Sequence, residues 1–257
     1  MWAVGEAYEG YVGRWSRLVA AQFVRWLRVA PGSRWLDVGC GTGALTETVL
    51  SSAEPAEVVG VDPSTGFLDI ARSRNPGVTF HTGDARELPL PDNGFDAVVS
   101  GLALNFVPDP VRAVAEFGRV ARPGGVVAAY VWDYADGMEM MSHFWEAAVA
   151  LDPETVDERR RFAKWRPEWL GELWSGMDGV SVQAIEIPTL FKDFDDYWTP
   201  FLGGQGPAPA YTMSLPEPAR ARLGEALRER LPASADGGIR LTARAWAIRG
   251  TVRWQKD

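Results

Sequence analysis

Residues 37–43 form a glycine-rich segment, Asp-Val-Gly-Cys-Gly-Thr-Gly, between an apolar run and a run with helical spacing. Glycine lets the backbone turn tightly and lets a ligand approach it closely, so three glycines in five residues favour a binding turn over a plain connection. The run at 34–38 is typical of a short strand. In the run at 44–50, Leu45 and Val49 recur four residues apart. The segment therefore predicts a strand, a ligand-binding turn and a helix.

Strand-like and helix-like runs alternate along the chain as far as residue 132. We predict strands at 34–38, 57–61, 78–81, 95–100 and 126–131, with helices at 15–27, 44–50, after Asp62-Pro63-Ser64, and at 111–121. This alternation implies right-handed crossovers and a parallel, doubly wound α/β sheet. Later runs predict helices near 137–150, 157–175, 193–202 and 219–231, a capping box at 214–217, and strands at 180–191 and 239–252.

Composition disfavours several classes of function. The net charge of −8 over 257 residues argues against a nucleic-acid partner, because phosphate binding needs clustered Lys and Arg. A single cysteine and two histidines predict neither a disulfide framework nor a metal centre. The chain has no apolar run of about 18 residues and no leader-like start, so we expect no membrane partner and a cytoplasmic location.

When only the residue pattern is considered, the glycine segment fits either a dinucleotide or a cofactor that carries an ammonium group. Gly39, Gly41 and Ala44 match the relaxed dinucleotide pattern G-x-G-x-x-A, and an acid, Asp62, follows the segment at the spacing of a ribose-binding residue. Asp37, however, would repel a pyrophosphate and can instead interact with an ammonium group. Gly83-Asp84 ends the third predicted strand and offers a second acid to the same edge of the sheet.

These residues resemble the class I S-adenosylmethionine-dependent methyltransferases. The resemblance rests on LDVGCGTG at 36–43, VD at 61–62, GDA at 83–85, FDAVVS at 95–100 and RPGG at 122–125. It is greatest to the small-molecule branch that includes ubiquinone/menaquinone methyltransferase-like proteins. It implies a Rossmann-like seven-stranded sheet of order 3-2-1-4-5-7-6 with strand 7 antiparallel, S-adenosyl-L-methionine as cofactor and S-adenosyl-L-homocysteine as product.

The resemblance also implies a set of cofactor-binding residues at the carboxyl ends of the strands, where an open parallel sheet binds its ligands. The methionine part would lie against Asp37, Gly39, Cys40, Gly41 and Gly43, the ribose against Asp62 and Pro63, the adenine against Asp84 and Ala85, and the sulfonium near Ser100 and Gly101. Tyr11 and Arg14, before the first long helix, would cover the cofactor or meet its carboxylate. S-adenosylmethionine is cationic and has no phosphate, so a site with three aspartates suits it.

The sequence favours a small, partly apolar methyl acceptor. No Asn/Asp-Pro-Pro-Tyr run and no Pro-Cys nucleophile are present, which disfavours methylation of exocyclic amines and of cytosine C5. The aromatic region after residue 132 would form lid elements over the acceptor; its possible wall residues are Trp132, Phe144, Trp145, Trp165, Trp169 and Trp198. Asp133 and His143 are the candidate general bases, although a turn cap and a helix surface would explain them equally well.

Two other functions stay open from the residues alone. A nicotinamide-dependent oxidoreductase would account for the G-x-G-x-x-A pattern and Asp62, and a non-catalytic S-adenosylmethionine-binding protein would need no base. For the methyltransferase we expect a single domain over residues 1–257. It would comprise an N-terminal lid and helix at 1–30, a cofactor-binding core at 31–132, and an acceptor-side elaboration with the last two strands at 133–257. The acceptor atom and the oligomeric state stay open.

Overall fold

The computed structural model describes residues 13–203, 206–232 and 234–254, without the side chain of Glu158. Seven strands form one sheet of order β3-β2-β1-β4-β5-β7-β6. They are β1 (Arg34–Val38), β2 (Glu57–Asp62), β3 (Thr79–Thr82), β4 (Phe95–Gly101), β5 (Ala121–Trp132), β6 (Asp178–Phe191) and β7 (Ile239–Thr251). The strand order is the one that the sequence resemblance implies, and it confirms the doubly wound α/β fold.

The first five strands are parallel and the seventh is antiparallel. Strand β1 pairs with β2 and β4, β2 with β3, and β4 with β5, all in parallel register. At one end of β5, Gly124 N donates to Val252 O at 2.9 Å; at the other end, Asp133 N donates to Arg244 O at 2.9 Å. Because β5 and β7 run through these pairs in opposite order, β7 is antiparallel to β5, as predicted.

Nine α-helices precede, connect or follow the strands within the described residues. They are α1 (Ser16–Leu27), α2 (Ala44–Ser52), α3 (Thr65–Arg74), α4 (Pro110–Val120), α5 (Glu139–Leu151), α6 (Pro167–Leu173), α7 (Phe194–Trp198), α8 (Pro207–Ser214) and α9 (Glu217–Arg230). Two begin as their sequence indicates: Ser64 Oγ accepts from Phe67 N, and Asp109 Oδ1 accepts from Arg112 N ahead of a first-turn proline. None of the described helices combines the length and apolarity that a bilayer crossing requires.

Three local predictions were wrong. Strand β5 begins at Ala121 rather than 126. Phe95 pairs with Ala121 but Ala97 pairs with Val126, so the RPGG segment at 122–125 is an irregularity inside the strand rather than part of the connection before it. The predicted helix at 157–175 is a 3-10 helix at 158–162 followed by the short helix α6. The predicted capping box is absent because Ser214 ends helix α8, where its hydroxyl donates to Tyr211 O at 2.7 Å.

The described residues form two compact units. The larger unit contains 16–131, 165–185 and 245–254, and the smaller unit contains 13–15, 132–164 and 186–244. In the larger unit the sheet residues Trp35, Leu36 and Val98 are fully buried. Trp174 also belongs to this core, where its indole Nε1 donates to Val127 O at 2.9 Å. A buried indole that finds a backbone acceptor keeps its apolar area in the core without leaving a polar atom unsatisfied.

Aromatic side chains make up much of the core of the smaller unit. Phe144 and Phe201 stack with ring centroids 4.5 Å apart, and Trp145 packs edge-on against Phe144. Tyr197 is buried and its hydroxyl donates to Met140 O at 2.9 Å. Phe144 and Trp145, two of the predicted wall residues, are thus core residues of this unit.

Candidate active site

The glycine turn between β1 and α2 contains three glycines with positive φ, and their surroundings differ. Gly39, Gly41 and Gly43 have φ values of +72°, +53° and +89°. A Cβ on Gly39 would lie 2.5 Å from Ala103 Cβ, and one on Gly43 would lie 2.6 Å from Asn75 Nδ2. A Cβ on Gly41 would have no heavy atom within 4 Å. Packing therefore requires two of the glycines, and the third leaves the turn open to a ligand.

The turn is held at the carboxyl end of β2 by backbone hydrogen bonds. Gly39 N and Cys40 N both donate to Val61 O, at 2.7 and 3.1 Å. The Cys40 side chain packs inward with Leu68, Ala71 and Phe80. Burial raises the pKa of the Cys40 thiol, and a thiolate is therefore disfavoured there. Cys40 thus has the packing of a small filler, and its expected contact with the cofactor stays a prediction.

Asp62, at the end of β2, has both carboxylate oxygens fixed by backbone amides. Gly41 N donates to Oδ2 at 2.9 Å and Ser64 N donates to Oδ1 at 2.8 Å. Burial raises the pKa of Asp62, and the two amide hydrogen bonds oppose that rise. Each oxygen retains a further lone pair, so the carboxylate can accept two hydroxyl groups while it anchors the glycine turn. The adjacent Pro63 is exposed.

Asp37, at the end of β1, is 1% exposed and has one oxygen without a partner. Thr46 Oγ1 donates to Oδ2 at 2.7 Å, whereas Oδ1 is shielded from solvent and accepts no hydrogen bond from any described residue. Burial raises the pKa of Asp37 to about 7; the Thr46 hydrogen bond lowers it and the charge of Asp62 raises it further. A buried carboxylate oxygen in this state has the geometry and charge to accept a hydrogen bond from a cation.

Asp84 differs from the other two aspartates because it is exposed and already paired. Arg86 Nη2 donates to its Oδ2 at 2.6 Å, and Arg86 N donates to its Oδ1 at 2.8 Å. These hydrogen bonds from Arg86 lower the pKa of Asp84 to about 2. Sequence reasoning missed Arg86, although its position two residues after the acid could have indicated the pair. The expected contact of Asp84 and the half-buried Ala85 with adenine stays a prediction.

The end of β4 lies beside the glycine turn. Ser100 is buried, and its Oγ would be 4.0 Å from a Cβ on Gly39. A Cβ on Gly101 would lie 2.6 Å from the Tyr130 hydroxyl oxygen, so the close approach of Tyr130 explains this glycine. Ser100 is therefore adjacent to the predicted cofactor loop, and the expected proximity of both residues to the sulfonium stays a prediction.

The remaining predicted site residues, apart from Tyr11, belong to the smaller unit, and Tyr11 lies outside the described residues. Arg14 Nη1 donates to Asp196 Oδ1 at 2.7 Å, and the guanidinium lies 4.5 Å from the Trp15 ring centroid. His143 is half-buried on helix α5. A cofactor role for Arg14 and a base role for His143 stay predictions.

Asp133 is 3% exposed, and both of its carboxylate oxygens accept hydrogen bonds within the smaller unit. Arg244 donates to its Oδ2 through Nη2 at 2.7 Å and through Nε at 2.9 Å, and Asp136 N donates to Oδ1 at 3.1 Å. Sequence reasoning missed Arg244, which is 111 residues away. These contacts are those of a turn cap with an ion pair, and the role of Asp133 as a base stays a prediction.

Replacing Arg244 with alanine should destabilise the protein by about 2 kcal/mol, because it leaves the buried Asp133 carboxylate without its cation. Denaturant unfolding of R244A measures this loss. Arg240→Ala is the matched control, since Arg240 is an exposed arginine on the same strand, and it should change stability by less than about 0.5 kcal/mol. Equal losses in the two variants would contradict the structural importance of the pair.

Comparisons with known proteins agree with this geometry. A methyltransferase domain model matches residues 36–129. An uncharacterized methyltransferase of Mycobacterium tuberculosis is 32% identical over 242 residues, covering 89% of this chain and 87% of that protein. A demethylmenaquinone methyltransferase of Renibacterium salmoninarum is 42% identical over 123 residues, 47% of this chain; the chain spans about half, 49%, of that relative.

A solved structure shows the same fold over most of the chain. It is a protein assigned as a type II methyltransferase from Anaeromyxobacter dehalogenans, with a TM-score of 0.66, 25% identity, and coverage of 92% of this chain and 97% of that one. The relative that matches nearly the whole chain and the seven-stranded topology point to the same family. The chain belongs to the class I S-adenosylmethionine-dependent methyltransferases.

Proposed function

We propose that this protein transfers the methyl group of S-adenosylmethionine to a small, partly apolar acceptor by in-line displacement. The observation that carries the proposal is the buried Oδ1 of Asp37, which has no partner in residues 13–203, 206–232 and 234–254, beside a glycine turn that is open at Gly41. When bound, the cofactor supplies an electrophilic methyl group on a positively charged sulfur. The residues of this chain supply binding and alignment, which account for much of the catalysis in such a transfer.

Each part of the proposed cofactor site has a defined task. Asp37 Oδ1 would accept from the ammonium of the methionine part, and Asp62 would accept from the two ribose hydroxyls while it holds the Gly41 amide. The Asp84 carboxylate, held in place by Arg86, would accept a hydrogen bond from the adenine amino group. Carboxylates at all three positions suit a cation, and Asp37 beside the glycine turn would repel a dinucleotide pyrophosphate, so the oxidoreductase alternative fits this site less well.

The proposed acceptor class rests on residue chemistry and on one relative. The sequence contains neither the Asn/Asp-Pro-Pro-Tyr run nor the Pro-Cys pair of the nucleic-acid enzymes, and a demethylmenaquinone methyltransferase matches 47% of this chain. We therefore propose an acceptor of modest size with an apolar ring system. Asp133 and His143 stay the candidate bases for an acceptor that must lose a proton.

Ligand-induced thermal stabilisation separates the proposed function from the oxidoreductase alternative. A ligand of the folded state raises the melting temperature, so S-adenosylhomocysteine should do so and NADH or NADPH should not. Transfer of the labelled methyl group from S-adenosylmethionine to small naphthols and naphthoquinols then tests turnover. Stabilisation by the nicotinamide cofactors alone would overturn the proposal, and cofactor binding with no transfer to any of these acceptors would favour a non-catalytic binding protein.

The raised pKa of Asp37 predicts that cofactor affinity depends on pH. In the free protein the carboxyl is neutral below about pH 7, and an ammonium group needs the carboxylate, so affinity for S-adenosylhomocysteine should fall by up to about tenfold for each pH unit below 7. The charge of Asp62 acts on Asp37, and Asp37 in turn acts on Cys40; burial disfavours the charged forms of both Asp62 and Cys40. Calorimetry between pH 5.5 and 8 measures the slope.

Asp37→Asn is the control for this pH dependence, because it should bind weakly with an affinity that does not change across the range. The stability of the free protein changes in the matching direction. The folded-state pKa exceeds the usual 3.8, so the folded protein keeps a proton that the unfolded chain releases, and stability should fall as pH rises from about 4 to 7. In D37N that fall should be reduced. A pH-independent affinity in the unaltered protein would contradict the role of Asp37.

A further inference from the structure

Asn105 is a buried amide for which the described part of the chain provides no hydrogen-bond partner. It is the middle residue of the 3-10 helix Leu104–Phe106, directly after strand β4, and is 8% exposed. Its Oδ1 and Nδ2 atoms are both shielded from solvent, and neither has a partner among the described residues. Buried amide groups are nearly always satisfied in folded proteins, because an unmet group loses its hydration without compensation. An amide in this state is suited to a partner that is not part of the chain.

The segment around Asn105 lies against the glycine turn of the proposed cofactor site. Ala103 is the residue that a Cβ on Gly39 would meet at 2.5 Å, so this short helix begins next to the turn. Leu102, the first residue after β4, has a φ of +58°, which is uncommon for leucine, and its N–H donates to Tyr130 O at 2.8 Å. Strained backbone that the surrounding structure holds in place is found most often at binding and catalytic sites.

The charges nearby restrict what Asn105 can bind. Asp37 and Asp62 lie at the carboxyl ends of neighbouring parallel strands, at the edge of the sheet where β4 also ends, so an anionic group there would meet a like charge whenever either acid is ionised. In the proposed function these acids and Asp84 already serve the ammonium, ribose and adenine groups of the cofactor. The carboxamide of Asn105 offers both an acceptor and donors, which complements a neutral group that donates and accepts.

We propose that the Asn105 side chain binds the polar group of the methyl acceptor, and that this is a neutral group such as a hydroxyl. This inference rests on the proposed function, since it assigns the acceptor part of the same site. Asn105 would then position the nucleophilic atom for in-line attack. The acceptor class becomes narrower: a hydroxyl on an apolar ring fits, and a carboxylate or a phosphate does not.

The first test is stability in the absence of ligand. Asn105→Leu keeps the approximate size of the side chain and removes the two unmet polar atoms, so the melting temperature should rise by about 2–4 °C. Asn75→Leu is the matched control, because Asn75 is equally buried but its Nδ2 donates to Ala71 O at 3.2 Å, and it should lower the melting temperature. A fall in N105L would overturn the inference, since it would mean that the amide is satisfied within the chain.

The second test is binding of defined probes to the complex with S-adenosylhomocysteine. Calorimetry should show that 1-naphthol binds at least tenfold more tightly than 1-naphthoate, and that N105L weakens 1-naphthol at least tenfold while the S-adenosylhomocysteine affinity stays within twofold. Failure of the unaltered complex to prefer 1-naphthol would overturn the acceptor class. An equal loss of S-adenosylhomocysteine affinity in N105L would overturn the role of Asn105 toward the acceptor.

The two proposals fail in different ways. If the unaltered protein does not bind S-adenosylhomocysteine, the proposed function is wrong. If it binds S-adenosylhomocysteine and N105L retains full affinity for 1-naphthol, the inference about Asn105 alone is wrong.

Discussion

Replacing Asp62 with alanine is expected to lower the affinity for S-adenosylhomocysteine by tenfold or more, about 1.4 kcal/mol. The carboxylate would be the acceptor for the ribose hydroxyls, so the variant loses those hydrogen bonds. It also loses the acceptor for the amides of Gly41 and Ser64, which lie 2.9 and 2.8 Å from the two oxygens. Since the same carboxylate would bind the ligand and already holds the glycine turn, the two losses should combine.

Calorimetry with S-adenosylhomocysteine measures the effect of D62A. Asp69→Ala is the matched control, since Asp69 lies on helix α3 of the same unit and its carboxylate pairs with Arg72 at the surface. D69A should bind with unchanged affinity. A D62A protein that is folded and binds as tightly as the unaltered protein would show that the ribose is not held at the end of β2.

Replacing Gly39 with alanine is expected to destabilise the protein by about 2–4 kcal/mol, from backbone strain at φ +72° together with overpacking. The added methyl would lie 2.5 Å from Ala103 Cβ, a distance that requires the turn or the segment after β4 to shift. Such a shift would also move the amides of Gly39 and Cys40 away from Val61 O. Cofactor affinity should therefore fall together with stability.

Gly32→Ala provides the matched control for G39A. Gly32 has nearly the same φ, +75°, but a Cβ there would have no heavy atom within 4 Å. The substitution therefore adds backbone strain without overpacking. G32A should lower the free energy of unfolding, measured with urea, by about 1 kcal/mol and should bind S-adenosylhomocysteine normally. Equal destabilisation by the two substitutions would mean that contact with Ala103 contributes nothing.

Much of the fold could be predicted from the sequence because its local signals agree with its topology. The glycine turn, the acid at the end of β2 and the alternation of strands and helices indicated a parallel sheet, and Asp37 and Asp62 do lie at the ends of neighbouring strands. The starts of helices that have a capping side chain, such as Ser64 or Asp109, could also be predicted from the sequence. Such features depend on residues that are close in sequence, where spacing alone carries the information.

The features that could not be predicted depend on residues far apart in sequence or on the absence of a contact. The pairing of Asp133 with Arg244 follows from the antiparallel register of β5 and β7, which no local pattern specifies. The unmet amide of Asn105 can be recognised only once every neighbour is placed. Ser214 had the spacing of a capping residue, but the preceding helix extended to include it.

The tasks proposed for Asp37 and Asp62 have a consequence for how the enzyme would work over time. The ammonium and the ribose hydroxyls are common to the cofactor before and after it gives up its methyl group, so neither aspartate distinguishes the two. S-adenosylhomocysteine should then compete with S-adenosylmethionine when the two are present at comparable concentrations. Product inhibition should limit turnover, and sustained activity would depend on another enzyme that removes S-adenosylhomocysteine.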